Sequence, residues 1–155
     1  MKTIGLIGGM SWESSVLYYR LINTGIKQRL GGLHSAQLLM FSVDFAPIEQ
    51  LQHAGDWDGA AKILVDAARR LEVGGADFFL IGTNTMHRVA DEIAAAVNIP
   101  LLHIADATAH EIKSQGLNSN LVLFLSHHAN VKDPSSTTDA KWCNFGKLDS
   151  RSHTA

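Results

Sequence analysis

Short apolar runs alternate along this chain with longer stretches in which apolar residues recur every three or four positions. Short apolar runs suit strands and the 3.6-residue period suits helices, so the alternation reads as repeated strand and helix. Residues 2–6 (KTIGL) form a buried-strand candidate that stops at Gly8 and Gly9. Residues 14–30 follow, with Val16, Tyr19, Leu21, Ile22 and Ile26 at helical spacing and Gly31 and Gly32 at the end, as a helix C-terminus often has. A second strand spans 37–43 (QLLMFSV), a short helix 47–52, and a longer helix 58–71 with Ala61, Ile63, Leu64, Ala67, Ala68 and Leu71 on one face. A third strand is expected at 77–81 (DFFLI), a third long helix at 86–97, a fourth strand at 100–104, a helix start at 107–113 and a fifth strand at 121–125.

Strand–helix alternation at this interval implies an α/β fold: three layers, α/β/α, around a mostly parallel sheet of about four or five strands. Ligands of such sheets bind at the carboxyl ends of the strands. That directs attention to residues 8–13, 44–52 and 82–87. The order breaks after Leu125. Residues 126–155 are polar, rich in Ser and Thr, and carry neither period. The chain is therefore divided into an α/β domain at 1–125 and a tail at 126–155 that is expected to be disordered or loosely attached.

A chain of 155 residues with 46% hydrophobic and 18% charged residues has room for one domain with a real core. The net charge of −2, with no basic stripe, argues against nucleic acid as a partner. No apolar run approaches the roughly 20 residues needed to cross a bilayer. The opening MKTIGLIGGM is read as a strand and not as a signal peptide, which leaves a cytoplasmic location by default. One cysteine, Cys143, excludes an internal disulfide, and the scattered histidines give no metal-ligand spacing.

Two strand ends carry polar chemistry. Gly5-x-x-Gly8-Gly9 fails the dinucleotide fingerprint and has no P-loop lysine. One reading of the glycine pair is a tight turn that needs positive φ, with Ser11 or Ser14 as an ordinary N-cap. The other is that free N–H groups there face an anion. Residues 82–87 (GTNTMH) place three small polar side chains where the third strand ends. Capping by Asn84 or Thr85 explains them as well as a carboxylate site does. His87 by itself reads as a surface or core-rim residue.

The combination is more specific than its parts. GGMSWES (8–14), YYRLIN (18–23), HSAQLLMFSVDF (34–45), TNTMH (83–87) and HIADAT (103–108) closely resemble, in order and spacing, motifs of the bacterial aspartate/glutamate racemases. The likeness covers residues 1–125, the N-terminal half of that family's two-domain fold. It implies a racemase that needs no cofactor and no metal and interconverts L and D amino acids. One thiolate takes the α-proton while a second thiol returns a proton to the opposite face; inversion requires two such groups. By the same resemblance, Met10, Gln52, Thr83, Asn84 and Thr85 fall on substrate-contact positions, the last three on the α-carboxylate. The implied partner is a small amino acid or dicarboxylate, and pairing of two copies is also implied.

Two departures stand out. The family's Cys-Thr-Asn-Thr is here Gly82-Thr83-Asn84-Thr85, and glycine has no proton to move. No Gly-Cys-Thr-Glu motif of a second half is present, and Trp142-Cys143-Asn144 matches nothing in the family. Codons able to encode residues 126–130 can, read one base later, encode Thr-Thr-Leu-Thr, so a frameshifted tail is the expectation. The sequence therefore leaves three readings: a racemase by descent whose activity is suppressed, a non-catalytic remnant that binds carboxylates, or a structural remnant with no ligand and an exposed apolar face.

Overall fold

The computed structural model describes residues 1–114. The expected fifth strand at 121–125 and the tail at 126–155 lie outside the described residues. Residues 1–107 form one unit, which holds the sheet; of the second unit, 108–155, only the end of one helix is described. The elements are β1 (Ile4–Gly8), α1 (Trp12–Leu30), β2 (Leu38–Ser42), α2 (Phe45–Ala54), α3 (Trp57–Val73) and β3 (Phe78–Ile81). A 3-10 turn (Thr85–Val89), α4 (Ala90–Ala95) and α5 (Ile104–Ser114) follow.

The three described strands lie in the order β2-β1-β3, and both pairings are parallel. The register aligns Leu6 with Met40 and Leu80, and Ile7 with Phe41 and Ile81. Because side chains alternate faces along a strand, one face presents Ile7, Leu39, Phe41, Phe79 and Ile81. These join Ala60, Leu64, Ala67, Ala68 and Leu71 of α3 in the main core. The opposite face carries Gly8, beside Ser15 of α1, and Met40. The helix covers this face thinly: Ser15 is its only buried residue, while Trp12, Val16 and Tyr19 are more than half exposed.

Local chemistry sets the boundaries. Ser11 caps α1 by accepting from the N–H of Ser14, Asp44 caps α2 and Asp56 caps α3. β1 begins and ends two residues later than the expected 2–6. It runs on through Gly8, whose carbonyl accepts from Val43 N–H at 2.9 Å.

Two expectations fail. The helix expected at 86–97 is a 3-10 turn joined to a six-residue helix that stops at Ala95. Residues 100–104 form no strand of their own. Leu101 makes one parallel bridge to Phe79, supported by bonds from Phe79 N–H to Pro100 and from Leu102 N–H to Phe79. The chain then turns into α5 at Ile104, three residues before the expected helix start, because His103 Nδ1 accepts the N–H of Ala105 at 3.1 Å. The described sheet thus has three strands and one flanking bridge.

Candidate functional site

Parallel strands bring the carboxyl ends of β1 and β3 side by side. Gly82 N–H donates to Ile7 O at 2.8 Å, so the two loops start as neighbours. At the first, Gly9 has φ +91, and a β-carbon there would lie 2.2 Å from the Val43 carbonyl oxygen. Only glycine makes this turn. Its N–H is not free for an anion, since it donates to Ser15 Oγ at 3.0 Å. Ser15 Oγ in turn donates to the Ser11 carbonyl. The turn reading of the glycine pair therefore holds, and the Gly9 amide is spent inside the fold.

Met10, just beyond the turn, is buried in the main core together with Met86. Gln52, near the end of α2, directs its Nε2 to Met86 Sδ at 2.9 Å. A thioether is a weak acceptor, so the amide of Gln52 is lightly held. Met86 thus links Gln52 to the 3-10 turn that follows β3.

Gly82 is buried at the end of β3 with no positive φ. A β-carbon on it would meet Ile7 O at 3.0 Å and Leu6 Cδ1 at 3.4 Å, which is tight but not forbidden. Thr83 is half-buried, and Asn84 and Thr85 are exposed. Asn84 occupies the N-cap position of the 3-10 turn, yet no side-chain cap bond forms. Capping therefore does not account for these residues. Their hydroxyls and amide are uncommitted among the described residues.

His87 departs most from its sequence reading. It is 2% exposed, not at a surface or rim. Its Nδ1 lies 2.8 Å from the Thr83 carbonyl oxygen, and Nε2 is buried with no partner among the described residues. The ring of His103 packs edge-on at 4.6 Å. Burial pushes the His87 pKa below 6.5, and His103 adds to this; bonds to the backbone at Thr83 and Asn84 oppose it. Nothing in the sequence marked this residue as buried, because a lone histidine beside a polar run carries no period that distinguishes inside from outside.

A shallow groove of about 470 Å³ lies at the end of β2, lined by residues including Val43, Asp44, Pro47, Lys62 and Asp66. None of the five carried-over residues lines it. Among the described residues there is no cluster of three or more His, Cys, Asp or Glu able to hold a metal ion. No described helix is long and apolar enough to cross a membrane.

Comparison with known proteins agrees with this geometry. Residues 7–132 match the Asp/Glu/Hydantoin racemase family. The broad specificity amino-acid racemase RacX of Bacillus subtilis (strain 168) is 40% identical over 57 residues, 37% of this chain and 25% of RacX. A crystal structure of a Yersinia pestis protein assigned to the Asp/Glu racemases is similar at a TM-score of 0.73 and 60% identity, over 75% of this chain and 50% of that one. An aspartate racemase homologue from Pyrococcus horikoshii OT3 gives a TM-score of 0.67 and 37% identity over the same shares. The chain thus spans about half the length of these solved relatives and a quarter of RacX. A parallel α/β sheet, the ordered motifs at its strand ends and these matches lead to one conclusion: the chain belongs to the Asp/Glu/Hydantoin racemase family.

Proposed function

We propose that this site descends from one that interconverts the L and D forms of aspartate or glutamate by proton transfer at the α-carbon. Thr83, Asn84 and Thr85 hold the α-carboxylate, and Met10 and Gln52 border the substrate. The observation that carries this reading is the uncommitted polar segment at the end of β3, beside Gly82, in a chain of the racemase family. Ionised carboxylates take their strongest hydrogen bonds from such pre-aimed donors.

The chemistry stops short at Gly82. General acid–base groups contribute about 10²–10⁴-fold each, and racemisation needs one on either face of the substrate. With glycine at this position the site binds without transferring the first proton, and no cofactor or metal enters the reaction. The chain is accordingly expected to be inactive as a racemase while keeping affinity for small carboxylates. Incubation with L-aspartate in D₂O tests the first half: α-proton exchange at a family-like rate overturns it. Calorimetric titration with aspartate, glutamate and succinate tests the second. No heat and no melting shift at millimolar ligand would remove the binding role.

A cytoplasmic setting and pairing of two copies belong to the same reading. Sedimentation of the full chain across a range of concentrations checks the pairing.

A further inference from the structure

His87 sits inside the site segment but has no part in the proposed binding. Its burial is costly for a ring that only fills space. Nε2 is shut away from water with no partner among the described residues, and an aliphatic side chain of similar size would avoid that penalty. What the imidazole supplies is Nδ1, 2.8 Å from the Thr83 carbonyl oxygen. A carbonyl only accepts, so Nδ1 carries the proton and Nε2 the lone pair. The backbone N–H of the same residue donates to the Asn84 carbonyl at 3.1 Å. One residue thus holds two successive carbonyls.

In a planar trans peptide, the C=O of one residue and the N–H of the next point in opposite directions. Drawing the carbonyls of Thr83 and Asn84 toward His87 therefore turns the N–H groups of Asn84 and Thr85 away from it. Neither N–H has an acceptor among the described residues. We infer that His87 is a positioning residue, whose ring and backbone N–H groups hold the Thr83 and Asn84 carbonyls inward so that the N–H groups of Asn84 and Thr85 are presented to a carboxylate. The ligand in this statement rests on the proposed function; the orientation of the two amides does not.

Nitrogen-15 NMR of the full chain tests both parts separately. Long-range imidazole spectra near pH 7.5 should show His87 as the Nδ1–H tautomer. An Nε2–H tautomer overturns the proposal, and this measurement needs no variant. His87→Asn sets an amide nitrogen close to the place of Nδ1, whereas His87→Gln reaches nearer to Nε2 and His87→Leu offers no donor. His87→Asn should keep the Asn84 and Thr85 amide resonances and the succinate affinity of the parent. His87→Gln and His87→Leu should move both resonances and weaken succinate by about tenfold or more, the scale of a lost bond to a charged group. Unmoved amides in a folded His87→Leu chain, or rescue by Gln in place of Asn, would sink the idea. If the leucine variant does not fold, the contrast between Asn and Gln and the parent tautomer decide. If the amides respond as stated but the parent binds no succinate, the orienting role stands and the proposed function falls.

Discussion

Two glycines at neighbouring strand ends play opposite parts, and substitution separates them. Gly9 combines a positive φ with a carbonyl oxygen 2.2 Å from any β-carbon. Gly9→Ala is expected to cost more than about 2 kcal/mol, since left-handed strain and a backbone clash act together. Urea denaturation of the folded variant measures this, and a loss under about 0.5 kcal/mol would contradict the geometry. Gly82 has no conformational need for glycine. Its β-carbon would press on Ile7 O at 3.0 Å, so Gly82→Cys should fold with a loss of about 1–2 kcal/mol or less. The new thiol should be titratable by a thiol reagent in competition with succinate. The Gly9 turn was one of two readings the sequence left for the glycine pair, and the bond from Gly9 N–H to Ser15 Oγ decides between them. The identity of Gly82 as a replaced thiol came from resemblance alone.

Periodicity was most informative where one element packs against one face. α3 places Leu64, Ala67, Ala68 and Leu71 in the core as its spacing indicates, with Leu64 fully buried against the sheet. Leu64→Ala should therefore cost about 2–5 kcal/mol, read as a lowered denaturation midpoint with an unchanged slope. An exposed apolar residue on α1 such as Val16, 60% exposed, should lose less than about 0.5 kcal/mol on the same change. Equal losses would mean that the two faces of the sheet are equally closed. Periodicity failed after β3. Met86, Val89, Ala90 and Ile93 are all buried as a continuous helix would have them, yet the first turn tightens into a 3-10 turn as His87 bonds back to Asn84 and Thr83. Residues 100–104 read as a strand from composition. They bridge only at Leu101, because His103 accepts the N–H of Ala105 and so caps a helix that starts at Ile104. Such side-chain bonds carry no period, which is why the candidate site was legible as a polar segment but not as a conformation.

One buried and one half-buried ionisable group, on different elements, set an acid and an alkaline limb to the stability of the fold. The folded pKa of His87 lies below the ordinary 6.5, mainly through burial. Below pH 6.5 the unfolded chain therefore takes up a proton that the folded chain refuses. Stability from this group is complete above 6.5 and is lost as pH falls toward the folded value. Tyr18 on α1 has the opposite sense. Burial lifts its pKa above 10.0, so the unfolded chain ionises first and stability declines as pH rises past 10. Each group alone can tilt stability by at most about 1.4 kcal/mol per pH unit. Urea midpoints should therefore be flat between about pH 7 and 9 for these two groups and fall on both sides. His87→Asn should flatten the acid limb and leave the alkaline limb in place, and Tyr18→Phe should do the reverse. The acid limb also reports on the site, because protonating Nε2 places a charge in a buried position beside the ring of His103. Asn84 and Thr85 amides of the folded chain should then shift with the midpoint of the His87 ring itself, at the low end of the pH window in which stability is lost. Amides that titrate at a different pH would separate the segment's conformation from the charge state of His87.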